Sequence, residues 1–255
     1  MVFALLAAPA VLFAHDSDSE LHFSHPLITE SPSPDSKVRF DYFYQSSRDG
    51  IQADEHTPRV ELEYAFRSWI SVETNVPYTF LRIEGQLQSS HLNNVEVALK
   101  VANLSLKEKH LLFVYGLSVE LPSGSDSKEI GTDHIFEIEP YFGLGLQRDK
   151  VEVAAFASVA APVNRTANDE DVTHLGYEIS VLFKPTDSLQ PVIELDGETL
   201  LAGAQSGQTS INLSPGIKFR PFHSEHWQIG PGIGVPLTDE REFHRRVVVS
   251  AFYHF

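Results

Sequence analysis

The sequence predicts an all-β fold, a twelve-stranded antiparallel up-and-down transmembrane β-barrel, and three observations predict it. Apolar and polar residues alternate with a period of two in twelve runs between Lys37 and Phe255. That alternation places one set of side chains on each face of a sheet. Each run is close to the roughly 9–11 residues a tilted strand needs to cross a bilayer. The connections between runs alternate short and long, and no comparable stretch shows a 3.6-residue period.

Residues 1–14, MVFALLAAPAVLFA, are apolar and then stop abruptly at His15-Asp16-Ser17-Asp18. This pattern is that of a secretory signal peptide, truncated at its start because no Lys or Arg precedes Lys37. Residues 15–36 are rich in Ser, Pro and acid and lack any periodicity, so they are expected to form a disordered periplasmic leader. His15, His22 and His25 with Asp16, Asp18 and Glu20 have the composition of a metal site. On a tail with no scaffold to preorganise the ligands, the expectation is a solvated segment and no metal.

Residues 37–255 form the barrel. Val38, Phe40, Tyr42 and Tyr44 alternate with Arg39, Asp41, Phe43 and Gln45 in the first run. Val60, Leu62, Tyr64 and Phe66 oppose Arg59, Glu61 and Glu63, and Ile70, Val72, Thr74 and Val76 oppose Ser71, Glu73 and Asn75. Val95, Val97, Leu99 and Val101 oppose Glu96, Ala98 and Lys100; Leu111 to Val119 oppose Leu112 to Glu120. Phe136, Ile138, Phe142 and Leu144 oppose Glu137, Glu139 and Tyr141. Val151, Val153 and Ala155 oppose Glu152 and Phe156, and Leu175 to Phe183 oppose Glu178, Ser180 and Lys184. The last four runs carry Leu189, Ile193 and Leu195 beside Glu194; Ile211 to Phe219; Trp227 to Val235; and Val247 to Phe255.

Arg67-Ser68, Gln147 to Lys150 and Pro185 to Ser188 are short turns, whereas Ser46 to His56, Leu81 to Asn93, Pro122 to Asp133, Ala161 to His174 and Gly197 to Gln208 are longer. Short-long alternation marks a meander with turns at one end and loops at the other, unlike the irregular crossovers of a Greek-key sandwich. An even strand number returns both termini to the turn side, predicted to be periplasmic. Phe40, Phe66, Phe183, Phe219, Trp227, Tyr253 and Phe255 cluster toward the turns and Tyr44, Tyr78 and Phe136 toward the loops, as two interfacial belts would. Tyr253 and Phe255 end the last run in the aromatic-x-Phe pattern of an assembly signal, which makes the barrel assembly machinery and outer-membrane lipid expected partners. Pro140, Pro191, Pro215 and Pro231 stand inside proposed strands and count against an unbroken ladder.

Segments His25 to Glu30, Val60 to Tyr64, Val72 to Tyr78, Glu137 to Gly145 and Gly176 to Ser180 resemble the outer-membrane family named for the MetA pathway of phenol degradation. The resemblance implies an outer-membrane channel, in some members associated with aromatic-compound catabolism, and no catalytic residues.

If the apolar face meets lipid, Glu61, Glu63, Glu73, Glu96, Glu137, Glu139, Glu152, Glu178 and Glu194 line the pore, with Arg39, Arg59, Lys100 and Lys184 as counter-charges. Desolvated carboxylates must be paired or wetted. Either charge ladders brace a nearly closed lumen, or water fills an acid-biased bore. Phe43, Tyr141, Phe156 and Phe252 share the inward phase, as a guide for a hydrophobic solute or as packing. With 19 basic residues against 35 acidic ones, a net charge of -16, the chain excludes a nucleic-acid partner, and with Cys 0 it has no thiolate chemistry. His91, His134 and His174 with Ser90, Ser123 and Ser125 near the loops have no diagnostic spacing, so neither an enzyme nor a cofactor is expected. The reading is passive passage of small molecules, hydrophobic or aromatic compounds among them. The alternative is a non-conducting outer-membrane barrel acting as adhesin or scaffold through its loops.

Overall fold

The computed structural model describes residues 21–48, 51–86, 88–164, 172–186, 188–203, 205–221, 224, 226–241 and 243–255. The expected signal peptide and residues 15–20 lie outside them. The strands are β1 (Lys37–Arg48), β2 (Ile51–Arg67), β3 (Ile70–Ile83), β4 (Ser89–Leu92), β5 (Val95–Asn103), β6 (Leu111–Leu121), β7 (Glu137–Arg148), β8 (Val151–Pro162), β9 (His174–Phe183), β10 (Leu189–Leu200), β11 (Thr209–Phe219), β12 (Trp227–Pro236) and β13 (Arg245–His254). β4 and β5 both pair with β3, at Tyr78–Leu81 and Ile70–Asn75 respectively, and so share one position. The thirteen strands therefore make twelve staves.

Every neighbouring pair is antiparallel, and β1 joins β13 over Lys37↔His254 to Ser46↔Arg245, which closes the ring. Closure leaves no unpaired edge, the condition for a sheet to sit in hydrocarbon. Short 3₁₀ turns stand at Leu104–Lys109 and Asp126–Lys128.

The two faces sort as alternation requires. Leu62, Val97 and Ile179 point outward, Leu62 with 49% of its surface open, whereas Glu61, Glu63 and Glu194 are fully buried inside. A soluble sandwich would invert this arrangement. The aromatic residues of the two belts, Phe66, Trp227, Phe255, Tyr78 and Phe136 among them, are exposed on the outer surface.

The structure corrects two expectations and shows how the strand prolines are accommodated. Residues 21–36 are not a solvated leader: Phe23, His25, Leu27, Thr29, Ser31 and Ser33 are all buried, because the segment runs inside the barrel. The first loop, expected over Ser46 to His56, is mostly ladder, since β1 continues to Arg48 and β2 starts at Ile51. Its polar residues are compatible with strand once the hairpin extends beyond the apolar band. Finally, the strand prolines are tolerated where pairing lapses. Between β11 and β12 pairs remain at Asn212↔Pro236, Leu213↔Val235, Gly216↔Gly232 and Phe219↔Ile229, with gaps around Pro215 and Pro231. The β7–β8 ladder likewise skips Pro140, and β9 begins pairing with β10 just after Pro191.

Candidate functional site

The inserted segment has no regular secondary structure over residues 21–26, so its backbone groups need partners from the wall. Carboxylates take its N–H groups. Glu194 accepts hydrogen bonds from the amides of Leu27 (2.9 Å), Ile28 (2.9 Å) and Thr29 (2.7 Å) and from the Thr29 hydroxyl (3.0 Å). Glu152 accepts from Ser24 at 2.9 Å, Glu178 from Glu30 at 3.1 Å and Glu63 from Asp35 at 3.2 Å. Cations take its carbonyls: Arg39 donates to the Leu27 oxygen and Lys218 to that of His25.

Apolar contacts complete the anchorage. Leu27 packs with Leu182, Val192, Val248 and Phe252, and Ile28 and Phe43 lie against that cluster. Phe23 packs with Ala102 and Leu112. The wall thins where these side chains enter. A Cβ on Gly216 would lie 2.4 Å from Leu27 Cδ1, and one on Gly145 would lie 2.7 Å from both Phe23 and Pro32.

Around the segment many of the buried charges form ion pairs, as desolvation demands. Lys37 bridges Glu61 (2.6 Å) and Glu63; Lys100 reaches Glu30 and Glu63 at 3.2 Å and Glu73 at 3.5 Å. Asp41 joins Arg39 and Arg59, each at 2.7 Å. Lys184 pairs with Glu152 near the turns. At the turn end, burial alone would raise the Asp35 carboxyl, but hydrogen bonds from His22, His25 and His254 hold it far below the usual carboxylate range. Burial pushes the His25 imidazole well down, so it is neutral at pH 7.

Above the segment, toward the loops, lies a cavity of about 310 Å³. Its walls carry seven carboxylates (Glu30, Glu73, Glu96, Glu139, Glu178, Asp196 and Glu198) against two fixed cations, Arg59 and Lys100, with Tyr141 and Phe156 beside them. A second cavity of about 260 Å³ shares Arg59, Asn75 and Glu96 and adds Phe43, Glu55 and Glu120.

The inward residues identified from the sequence thus fall into two groups. Glu73, Glu96, Glu139, Glu178, Arg59, Lys100, Tyr141 and Phe156 line the first cavity and Phe43 the second. Glu61, Glu63, Glu152, Glu194, Arg39 and Phe252 are covered and brace or bind the segment. Glu137 and Lys184 line neither cavity. Asp196 and Glu198 were missed, although both stand in the inward phase of β10, two and four residues beyond Glu194. Tyr253 and Phe255 are exposed on the outer face at the turn end. Near the loops, His134 is held by Asp126 at 2.8 Å, and the Ser123 hydroxyl donates to the Asn93 carbonyl at 3.0 Å.

No protein-family model and no curated protein matches the sequence. Solved structures do match the fold. The COG4313 outer membrane channel from Pseudomonas putida F1 superposes with a TM-score of 0.67 at 11% identity, over 94% of this chain and 99% of that one. The NanC porin gives 0.60 at 8% identity, over 86% and 98%. The KdgM porin in complex with disordered oligogalacturonate gives 0.59 at 14% identity, over 85% and 99%. At these identities the likeness is one of fold: the chain is built as outer-membrane channels and porins are.

Proposed function

We propose that the protein is an outer-membrane channel for passive passage of small molecules, with both termini in the periplasm and the acid-rich cavity as its outer vestibule. The observation that carries this reading is a closed twelve-stave ring, apolar outside, around a polar cavity that ends on the inserted segment. A structural scaffold alone would have no need of a charged interior cavity. Tyr141 and Phe156 in the cavity wall, together with the segments similar to the MetA-pathway family, support hydrophobic or aromatic compounds as permeants. Tyr253 and Phe255 are the elements we assign to recognition by the barrel assembly machinery.

A second reading, a non-conducting barrel that works through its loops, is favoured by one observation: the segment is buried inside the turn end of the barrel. Planar-bilayer recording separates the two. The full chain is expected to show small, infrequent openings, and a chain lacking residues 21–34 a steady, larger conductance. If both variants migrate as folded barrels and neither conducts, the scaffold reading replaces the channel. Liposome swelling with aromatic against sugar solutes then tests the permeant class.

A further inference from the structure

Three imidazoles converge on one carboxylate oxygen at the turn end of the barrel. His22 Nε2 lies 3.5 Å, His25 Nε2 3.1 Å and His254 Nδ1 2.7 Å from Asp35 Oδ2. A carboxylate oxygen has about two lone-pair positions, so three ring nitrogens are more than hydrogen bonding to it can satisfy well. The donor atoms of His22, His25 and Asp35 all lie within 4.8 Å of one another. In a tetrahedral zinc site with bonds of about 2.0–2.1 Å, ligand atoms stand roughly 3.3 Å apart. The two His–Asp separations, 3.1 and 3.5 Å, bracket that spacing before any adjustment.

The scaffold that a free tail would lack is present. His25 is fully buried, Asp35 is held from three sides, and the backbone between them is bound to Glu194 and Glu178. His22, with 52% of its side chain open, leaves an approach for an ion and a water.

We propose that His22, His25 and Asp35 bind a borderline divalent transition metal such as Zn²⁺, with water in the fourth position and His254 positioning the carboxylate. Two imidazoles and one carboxylate suit Zn²⁺ and its neighbours; Ca²⁺ and Mg²⁺ need more oxygen ligands. The ion closes residues 22–35 into a loop inside the barrel. Through His254 it fastens that loop to the last strand, where the Phe255 amide also donates to the Ser36 carbonyl at 3.1 Å. Two other groupings are poorer sites. Asp126, Asp133 and His134 lie exposed on the surface, and Glu61 and Glu73 are already occupied by Lys37 and Lys100.

Binding does not depend on conduction, so its test is separate from that of the channel. The full chain, without a histidine tag, is stripped with chelator in detergent and titrated with Zn²⁺ against a chromophoric competitor; Co²⁺ absorption reports the ligand geometry. One equivalent is expected. His22→Ala and Asp35→Asn should each weaken binding at least tenfold, and His134→Ala should leave it unchanged. His254→Gln should weaken it by about 10–100-fold while keeping one equivalent, as for other residues that orient a ligand. His22 is half exposed, so His22→Ala reports on the site even if Asp35→Asn disturbs docking. The proposal is overturned if the wild type takes up no Zn²⁺, or if both His22→Ala and Asp35→Asn bind as the wild type does.

Discussion

Glu194 shows how one side chain can hold a segment inside the barrel. Its two oxygens receive four hydrogen bonds from three consecutive residues, which no neutral side chain at that position could accept. Glu194→Gln replaces one acceptor with an NH₂ group aimed at amide donors. Leaving buried donors unsatisfied beside a lost charge-assisted acceptor costs about 3 kcal/mol. The cost falls on the docked segment, since all four hydrogen-bond donors to Glu194 belong to it. Residues 21–36 should therefore become cleavable by an added protease in folded Glu194→Gln barrels while the wild-type segment stays protected. Equal protection in both would remove Glu194 from its assigned role.

At the scale of elements, the segment and the β11–β12 wall are fitted to one another. Gly216 and Gly230 face Leu27, and Ala at position 216 would drive a methyl group to 2.4 Å from Leu27 Cδ1. Leu27 is enclosed by Leu182, Val192, Val248 and Phe252, so it cannot simply swing aside. Overpacking of this kind costs about 1–3 kcal/mol. Gly216→Ala alone should loosen the segment. Combined with Leu27→Ala it should cost less than the two single changes added together, as measured by protease protection; strict additivity would mean the two residues do not meet. The same contrast explains what was legible in the sequence. Strand identity and facing are local, carried by alternation such as Val60-Glu61-Leu62-Glu63, and so are the inward positions of the site. The insertion is not local, because Leu27 finds Glu194 across 167 positions of chain and nothing within residues 15–36 names that partner. The sign available was in the wall. Gly230, Gly232 and Gly234 follow one another on the inward phase, and with Gly216 and Gly145 they leave room where a barrel filled only by its own wall would carry side chains.

For the whole molecule, what the proposed channel would admit depends on the imbalance of charge in its interior. The chain carries 35 acidic residues against 19 basic ones, and in the loop-side cavity the imbalance sharpens to seven carboxylates against two cations. Neither cation is free: Arg59 is held by Asp41, and Lys100 by Glu30, Glu63 and Glu73. A charged cleft with low-dielectric walls concentrates counter-ions, so the excess of carboxylates over cations lining this cavity, Glu96, Glu139, Glu178 and Glu198 among them, should draw cations inward. A barrel lacking residues 21–34 should therefore show a reversal potential of cation-selective sign in a salt gradient. Changing Glu96, Glu139 and Glu178 together to Gln should carry the permeability ratio from several-fold toward unity. The ratio should also shrink in 1 M salt, where the screening length falls to about 3 Å, shorter than the reach of a charge across the cavity. The two manipulations act on different causes, fixed charge and mobile screening, so agreement between them identifies the wall carboxylates as the source. An anion-selective barrel, or a ratio indifferent to the triple change, would mean that ions pass by a route these residues do not line.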